Sequence, residues 1–546
     1  MQGEILFSDV TRFKAVKDLV DGDLVDRRTW FARAEKNRAE RYRRVATDKP
    51  IYPGAPNLAD PIVADLIRDL KQSIVTTLWQ APRLAQFIGL DADGLANAEA
   101  AEAAFDFHLR SIPRTRTRIA QCVDDVLMYG HGVAKLIETS GRGGLPVPNF
   151  YPVSALSVVV PTATLELGQA ERVCHMMRFT LSEFRRAASA GAWNPLVVAA
   201  AIKKAGERKA ASTGVDRGDV RTRYREGALN DSGAGVEVWE IFYETADAGR
   251  RVCLVCPDLP DVPLSDKPWI WVALVGVESE PPVREWPFVQ FRNEDTLGFY
   301  NSTGIPETLE DDQREASSFR TVRAIALDFA GKPFLKGQKG AQPFRFRAGE
   351  NIGQQEVVWF ESPGTEQVYQ QDYARTLAMK RVGSQQGFIG SVVGGDQRKT
   401  ATEVNALMGT AHGMSTDAVD RFAEPWAEMF TMMWTFLSRQ ARANGGRCGL
   451  ILSASKALPA AVWSAEFVIS TGVSGRSVNQ QRTLSALTNL GQLAPIIENM
   501  SVTLGPVAVR DFYMWIFNTM DTELARRLMS SSGAGQSRAA GTEVAV

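Results

Sequence analysis

The chain has 546 residues, enough for roughly two to four domains, and its 45% hydrophobic and 23% charged content is that of an ordinary globular protein. Its 62 basic and 63 acidic residues nearly cancel, which excludes nucleic-acid wrapping by overall positive charge and leaves any DNA contact to local patches. The opening MQGEILFSDVTRFKAV lacks the basic-then-apolar pattern of a signal peptide, no apolar run reaches the roughly 18 residues of a membrane span, and five cysteines fit a reducing compartment.

In chain order, residues 11 to 46 read as helix. The stretch DRRTWFARAEKNRAERYRR is a charged, solvated helix by default, with a DNA-facing role as the alternative. The turn-rich run from Tyr52 to Leu58 breaks it. A helix over 61 to 79 follows, with Ile62, Leu66, Leu70 and Ile74 at helical spacing. The helix predicted over 114 to 130 stops at Tyr129-Gly130-His-Gly132 and leads directly into the strand VAKLIET. Short strands are expected in 146 to 182 and 236 to 291, among them VEVWEIFYE, RRVCLVC, WIWVALVGV and FVQFR. The intervening 183 to 235 is helical, then loop-like. Its run KKAGERKAASTGVDRGDVRTRYRE is either a solvated surface loop or a basic patch.

Gly304-Ile-Pro306 opens a long helix, with Pro near its first position and Glu307, Glu310, Asp311 and Asp312 where carboxylates suit the helix dipole. Phe319, Val322, Ala326 and Phe329 form its apolar stripe, and Gly331-Lys-Pro333 ends it. A strand-and-turn insert over 332 to 363 precedes a second helix, about 365 to 388, with Tyr369, Tyr373 and Leu377 on one face. Thr400-Ala-Thr-Glu403 has capping-box spacing, so a third helix starts near Ala401, which Gly409, Gly413 and Pro425 should bend or interrupt. AEFVIST then reads as a strand returning to the first domain, 476 to 530 as helices, and the last residues as a disordered tail.

The chemistry-bearing motifs are few. Cys253-Leu-Val-Cys256 offers a metal knuckle or redox pair, but it has no second C-x-x-C, and two core cysteines on a buried strand are the simpler reading. His108, His131, His175 and His412 are scattered, and neither G-x-S-x-G nor H-E-x-x-H occurs. GSVVGGDQRKTATEV, residues 390 to 404, has the glycines and lysine of a phosphate loop, yet Arg398 stands where that loop needs glycine. No enzyme activity, cofactor or metal is therefore expected. A nucleotide hydrolase using this loop is the lesser alternative.

The order of these pieces resembles the portal protein, or head–tail connector, of tailed bacteriophages, over roughly residues 25 to 500. The likeness rests on Asn57-Leu58 with the 61 to 79 helix, on the corner from Asp125 through Tyr129-Gly130-His-Gly132 to Lys135, and on Phe150-Tyr-Pro152. It rests further on Gly304-Ile-Pro-Glu307 with Gln313, and on Thr400-Ala-Thr-Glu403. The 183 to 235 segment has no counterpart, and the C-terminus is too short for the long barrel of some members.

The resemblance implies an α+β, mainly helical portal fold of wing, stem, clip and crown, assembled as a ring, usually a dodecamer, around a central channel. The wing would be 1–303 and 400–471, the stem helices 304–331 and 364–389, the clip 332–363, the channel or tunnel loop 390–399, the crown 472–531 and the disordered tail 532–546. It implies double-stranded DNA, bound non-specifically, and a docking site for the terminase large subunit and tail adaptor proteins. The major capsid protein and a scaffold are further partners, and no membrane is involved. The location would be the virion's portal vertex, with assembly in the host cytoplasm. Another head–tail structural protein is the alternative.

Gly394, Gly395, Gln397, Arg398 and Lys399, with Lys380 and Arg381 on the second stem helix, would meet the passing duplex. Phosphate contacts carry no sequence information and suit a moving substrate. Arg398 and Lys399 pairing with a neighbouring subunit is the competing reading. Lys332, Lys336, Lys339, Arg345, Arg347 and Trp359 are the clip's candidates for the channel or for partners. Its aromatics Phe334, Phe344, Phe346 and Trp359 serve either a subunit interface or the clip's own core.

Overall fold

Gly235–Thr245, strand β6, carries Val236, Val238 and Phe242 on one face and Trp239, Ile241 and Tyr243 on the other. A strand apolar on both faces has to be covered on both. The computed structural model, which describes residues 12–47, 49–50, 54–81, 83–140, 145–191, 193–211, 235–245, 249–259, 262–269, 286–294, 300–331, 334–336, 356–358, 365–381, 401–450 and 458–471, does this. The chain divides into two units, Met1–Ser470 and Thr471–Val546, and of the second only Thr471 is described.

The architecture is mixed α+β, with several helices and open sheets. In the largest sheet β6 is central. The order is β4 (Val158–Val159), β5 (Arg172–Thr180), β6, β7 (Gly249–Val255) and β8 (Ser265–Pro268), and every pairing is antiparallel. Helix α1 (Arg12–Asp26) covers one face, its Val16 and Val20 packing with Met176, Trp239, Ile241 and Cys253. The other face receives α6 (Leu181–Ala190) and α7 (Pro195–Ala211), through Phe184, Val197 and Ala201 against Val238 and Cys256. Cys253 and Cys256 thus enter different clusters on opposite sides of the sheet, as core cysteines do. Of WIWVALVGV only Trp269 is described.

A three-stranded antiparallel sheet, β3 (Pro146–Val153), β2 (His131–Ser140) and β9 (Phe288–Arg292), lies against the first. One buried ion cluster ties them together. Lys135 on β2 pairs with Glu240 on β6, and Glu240 also meets His175 Nδ1 at 3.3 Å, directly across the β5–β6 ladder. Lys135 Nζ also lies 5.4 Å from the Phe242 ring centroid and 5.5 Å from that of Phe288. Burial alone would raise the Glu240 carboxyl. Lys135 and His175 override it and hold the group at about 2, below its ordinary 4.5.

Three expectations change. Residues 11 to 46 form two helices, α1 and α2 (Arg28–Arg41), parted at Arg27, whose buried guanidinium reaches the Val158 carbonyl and Asn301. Helix α2 is no solvated rod. Trp30, Ala34, Asn37 and Glu40 recur at three- and four-residue steps and bury one face, the two polar members finding hydrogen-bond partners at Met128 and Gln313. The third helix is uninterrupted from Ala401 to Ala443 despite Pro425. An internal proline costs about 3 kcal/mol, and the residues beyond it offset this: Trp426, Met429, Phe430, Met433, Trp434 and Leu437 are all buried.

That helix closes an aromatic core. Trp434 meets Phe87 of β1 (Ala85–Gly89) edge-on at 4.8 Å and Phe105 of α4 (Ala92–Ser111) at 5.8 Å, while Trp426 lies 4.8 Å from Phe291 of β9. AEFVIST returns as expected, as β12 (Phe467–Thr471) beside β1.

Substituting Glu240→Gln strands a buried lysine, and we expect a loss of about 3 kcal/mol in denaturant unfolding near neutral pH. Because the folded carboxyl sits below its unfolded value, this stabilisation is complete above about 4.5 and fades as pH falls through about 2. Wild-type and variant curves should therefore converge in acid; a gap that persists unchanged would contradict the ion-pair account.

Candidate functional site at the root of a helical hairpin

Helix Glu310–Gly331 runs antiparallel to helix Thr365–Arg381. At one end Arg381 pairs with Asp312 at 2.8 Å. At the other the chain passes into a two-stranded antiparallel ladder, β10 (Phe334–Lys336) with β11 (Glu356–Val358), in which Phe334 faces Val358. The product is a helical hairpin tipped by a short β ladder. Burial lifts the Asp312 carboxyl above its ordinary 3.8, with Arg381 opposing.

The helix roots itself by a polar face. Its buried face is Asp312, Gln313, Ala316, Ser317 and Thr321, whereas Val322 and Leu327 are exposed. The reason is what that face meets: the extended chain 57–61 and the start of α3 (Ile62–Gln80), whose backbone donors have no partner in a sheet or within their own helix. The Leu58 N–H donates to Thr321 Oγ1 at 3.2 Å, that of Asp60 to Ser317 Oγ at 2.9 Å, and that of Val63 to Gln313 Oε1 at 3.0 Å. The Gln313 amide nitrogen completes the set by donating to the Glu40 carbonyl at 2.8 Å. Residues 313, 317 and 321 are one helical turn apart, so one face supplies a ladder of acceptors.

Ion pairs ring this ladder. Lys36 and Arg314 hold Glu310, and Arg33 meets Glu307 at 3.3 Å. The second helix docks through Gln371, which donates to Asp60 Oδ2 at 2.8 Å, and through Arg375, 2.8 Å from Asp65 Oδ2. The face expected to carry Tyr373 is not the buried one: Ala374 and Ala378 are buried and Tyr373 is 70% exposed.

Two glycines fix the corner beneath the hairpin. Gly130 caps α5 (Thr115–Tyr129) at φ 86°, and a Cβ there would overlap the Ser302 carbonyl. Gly304 is the N-cap of the short helix Ile305–Thr308, and a Cβ there would overlap the Met128 carbonyl. Asn57, Gly130, Gly304 and Gln313, distant in sequence, thus belong to one junction. Asp60, Ser317, Thr321 and Gln371 join them unforeseen; the four-residue spacing of 313, 317 and 321 was the available signal.

Of the sequence-derived candidates, Arg381 is half exposed and paired with Asp312. Lys380 lies on the same helix and Lys336 on β10. Gly394, Gly395, Gln397, Arg398, Lys399, Lys332, Lys339, Arg345, Arg347 and Trp359 lie outside the described residues, as does most of the 332–363 insert and all of 472–546. Among the described residues no cluster of His, Cys, Asp or Glu could hold a metal ion, and no helix is long and apolar enough to cross a membrane. No protein-family model matches the chain, and no curated protein matches it.

Gly130→Ala should cost about 2 kcal/mol or more, combining a left-handed φ with backbone overlap. Gln313→Leu strands the Val63 N–H and should cost about 1 to 3 kcal/mol. Denaturant titration measures both; either variant unfolding like wild type would remove that residue from the junction.

Proposed function

We propose that the protein is a portal protein: a ring at one capsid vertex that conducts double-stranded DNA during packaging and ejection and docks the packaging terminase and tail adaptors. The observation that carries this reading is the hairpin. Two antiparallel helices lead from a mixed α+β body to a small β ladder and back, the order expected of stem, clip and stem. Of the residues on which the resemblance rests, Leu58, Gly130, Gly304 and Gln313 meet at its root.

A single copy leaves Val322 42% and Leu327 51% exposed on the first helix, with Tyr373 on the second. In a ring, neighbouring hairpins would cover these side chains. The segment 390–399 follows the second helix, where its Arg398 and Lys399 would be repeated around the axis close to the duplex. At about 10 Å of Debye length in 0.1 M salt, only cations that near the phosphates count.

Electron microscopy of purified protein should show rings with an axial hole; particles that remain monomers at every concentration and salt would defeat the proposal. Arg398→Glu with Lys399→Glu should leave the ring intact and reduce packaged DNA, the defect shrinking as salt rises. Normal DNA content in an intact ring would remove the channel role of the loop, and a dissociated ring would assign the pair to the subunit interface instead.

A further inference from the structure

We infer that neighbouring copies of this chain meet head to tail, the acidic apolar surface around Leu95 of one copy against the basic apolar surface around Tyr42 of the next. The inference rests on the ring reading and names the surfaces that would build it.

The first surface is continuous. Strands β1 and β12 pair, the Leu90 N–H donates to the Glu466 carbonyl at 2.9 Å, and Asp91 caps α4 beside them. Ile88, Leu90, Leu95 and Val468 are all exposed there, Leu95 to 63%. Four large apolar side chains in one place exceed the scattered exposure of an ordinary surface. The charge that faces solvent there is acidic. Glu102 is paired with Arg83 and Asp106 with Arg110, which leaves Asp91, Asp93 and Glu99 as the carboxylates of the first turns of α4. Asp93 and Glu99 are exposed.

The second surface has the opposite charge. Residues 44–47 run beside 57–59: the Ala59 N–H donates to the Arg44 carbonyl at 3.4 Å, and Asn57 Oδ1 accepts from Ala46 at 2.8 Å and from Thr47 at 3.0 Å. Tyr42, Val45 and Leu58 are exposed, Tyr42 to 62%, and so are Arg44 and Lys49. Among the described residues, the nearby carboxylates are engaged, Glu40 with Arg43 and Gln313, and Asp124 with Arg41 and Lys71.

The geometry then sets the mode of association. The basic surface borders the start of α3 and the acidic one follows its end, so 19 helical residues, about 28 Å, separate them. Where the acidic surface of one copy meets only the basic surface of the next, as the ring reading requires, the contact is heterologous and closes into a ring when the rotation permits. Opposite charge also disfavours like surfaces meeting.

Charge reversal tests this on the full-length protein. Asp93→Lys with Glu99→Lys, and separately Arg44→Glu with Lys49→Glu, should each raise the concentration at which half the chains are assembled by about tenfold or more at low salt. Combining all four should bring it back to within about threefold of wild type. Sedimentation velocity and native mass spectrometry read the assembly, and circular dichroism confirms that each variant is folded. As a second readout that leaves charge untouched, a mixture of Val45→Cys chains with Leu95→Cys chains should form a disulfide-linked heterodimer. Rings in which both single reversals assemble like wild type, or quadruple variants no better than the doubles, overturn the surface assignment and leave the ring reading standing. A wild-type protein that never assembles overturns both.

Discussion

The structure depends on how one extended stretch of backbone, residues 57 to 63, satisfies its donors. It belongs to no sheet, and it enters a helix whose first N–H groups have no carbonyl behind them. Thr321, Ser317 and Gln313 supply the missing acceptors from a single helix face. Burying such donors unpaired would cost about 1 to 3 kcal/mol each. The ladder therefore fixes both the axial position and the rotation of helix Glu310–Gly331 relative to the body. The partner helix, the ion pairs around Glu310 and the β ladder at the tip are all placed by that choice.

The same demand explains why the hairpin's apolar residues face outward. A helix has one face for each neighbour, and the body claims the polar one. Val322 and Leu327 are thereby left exposed. Within the body the logic is reversed. There the core is apolar, and Lys135, Glu240 and His175 show how charge is buried, each satisfying the others between two sheets.

Much of the local structure was legible in the sequence because local rules decide it. Gly130 in the left-handed region ends α5, and the nearly continuous apolar run in VEVWEIFYE marks a strand between two covered faces. The lone C-x-x-C read correctly as core because successive strand positions point oppositely and its cysteines flank a strand end. What was illegible depended on partners remote in sequence. Nothing local distinguishes the docked face of α2 from a solvated one; Asn37 and Glu40 are buried because Met128 and Gln313 lie opposite. The stripe of 319, 322, 326 and 329 gave the helix its periodicity but not the polar face, Gln313, Ser317 and Thr321, by which it docks. Pro425 does not interrupt its helix because its cost is local and the compensation, packing by Trp426, Phe430 and Trp434, is tertiary.

Helix Ala401–Ala443 has a mechanical meaning. At 1.5 Å per residue its 43 residues span about 64 Å. Its first residue follows immediately on the glycine-rich loop, and its last turns are wedged among Phe87, Phe105 and Trp463. Those rings pack too closely to yield gradually. A load applied along this helix would be taken up at that aromatic seat, in the centre of the body.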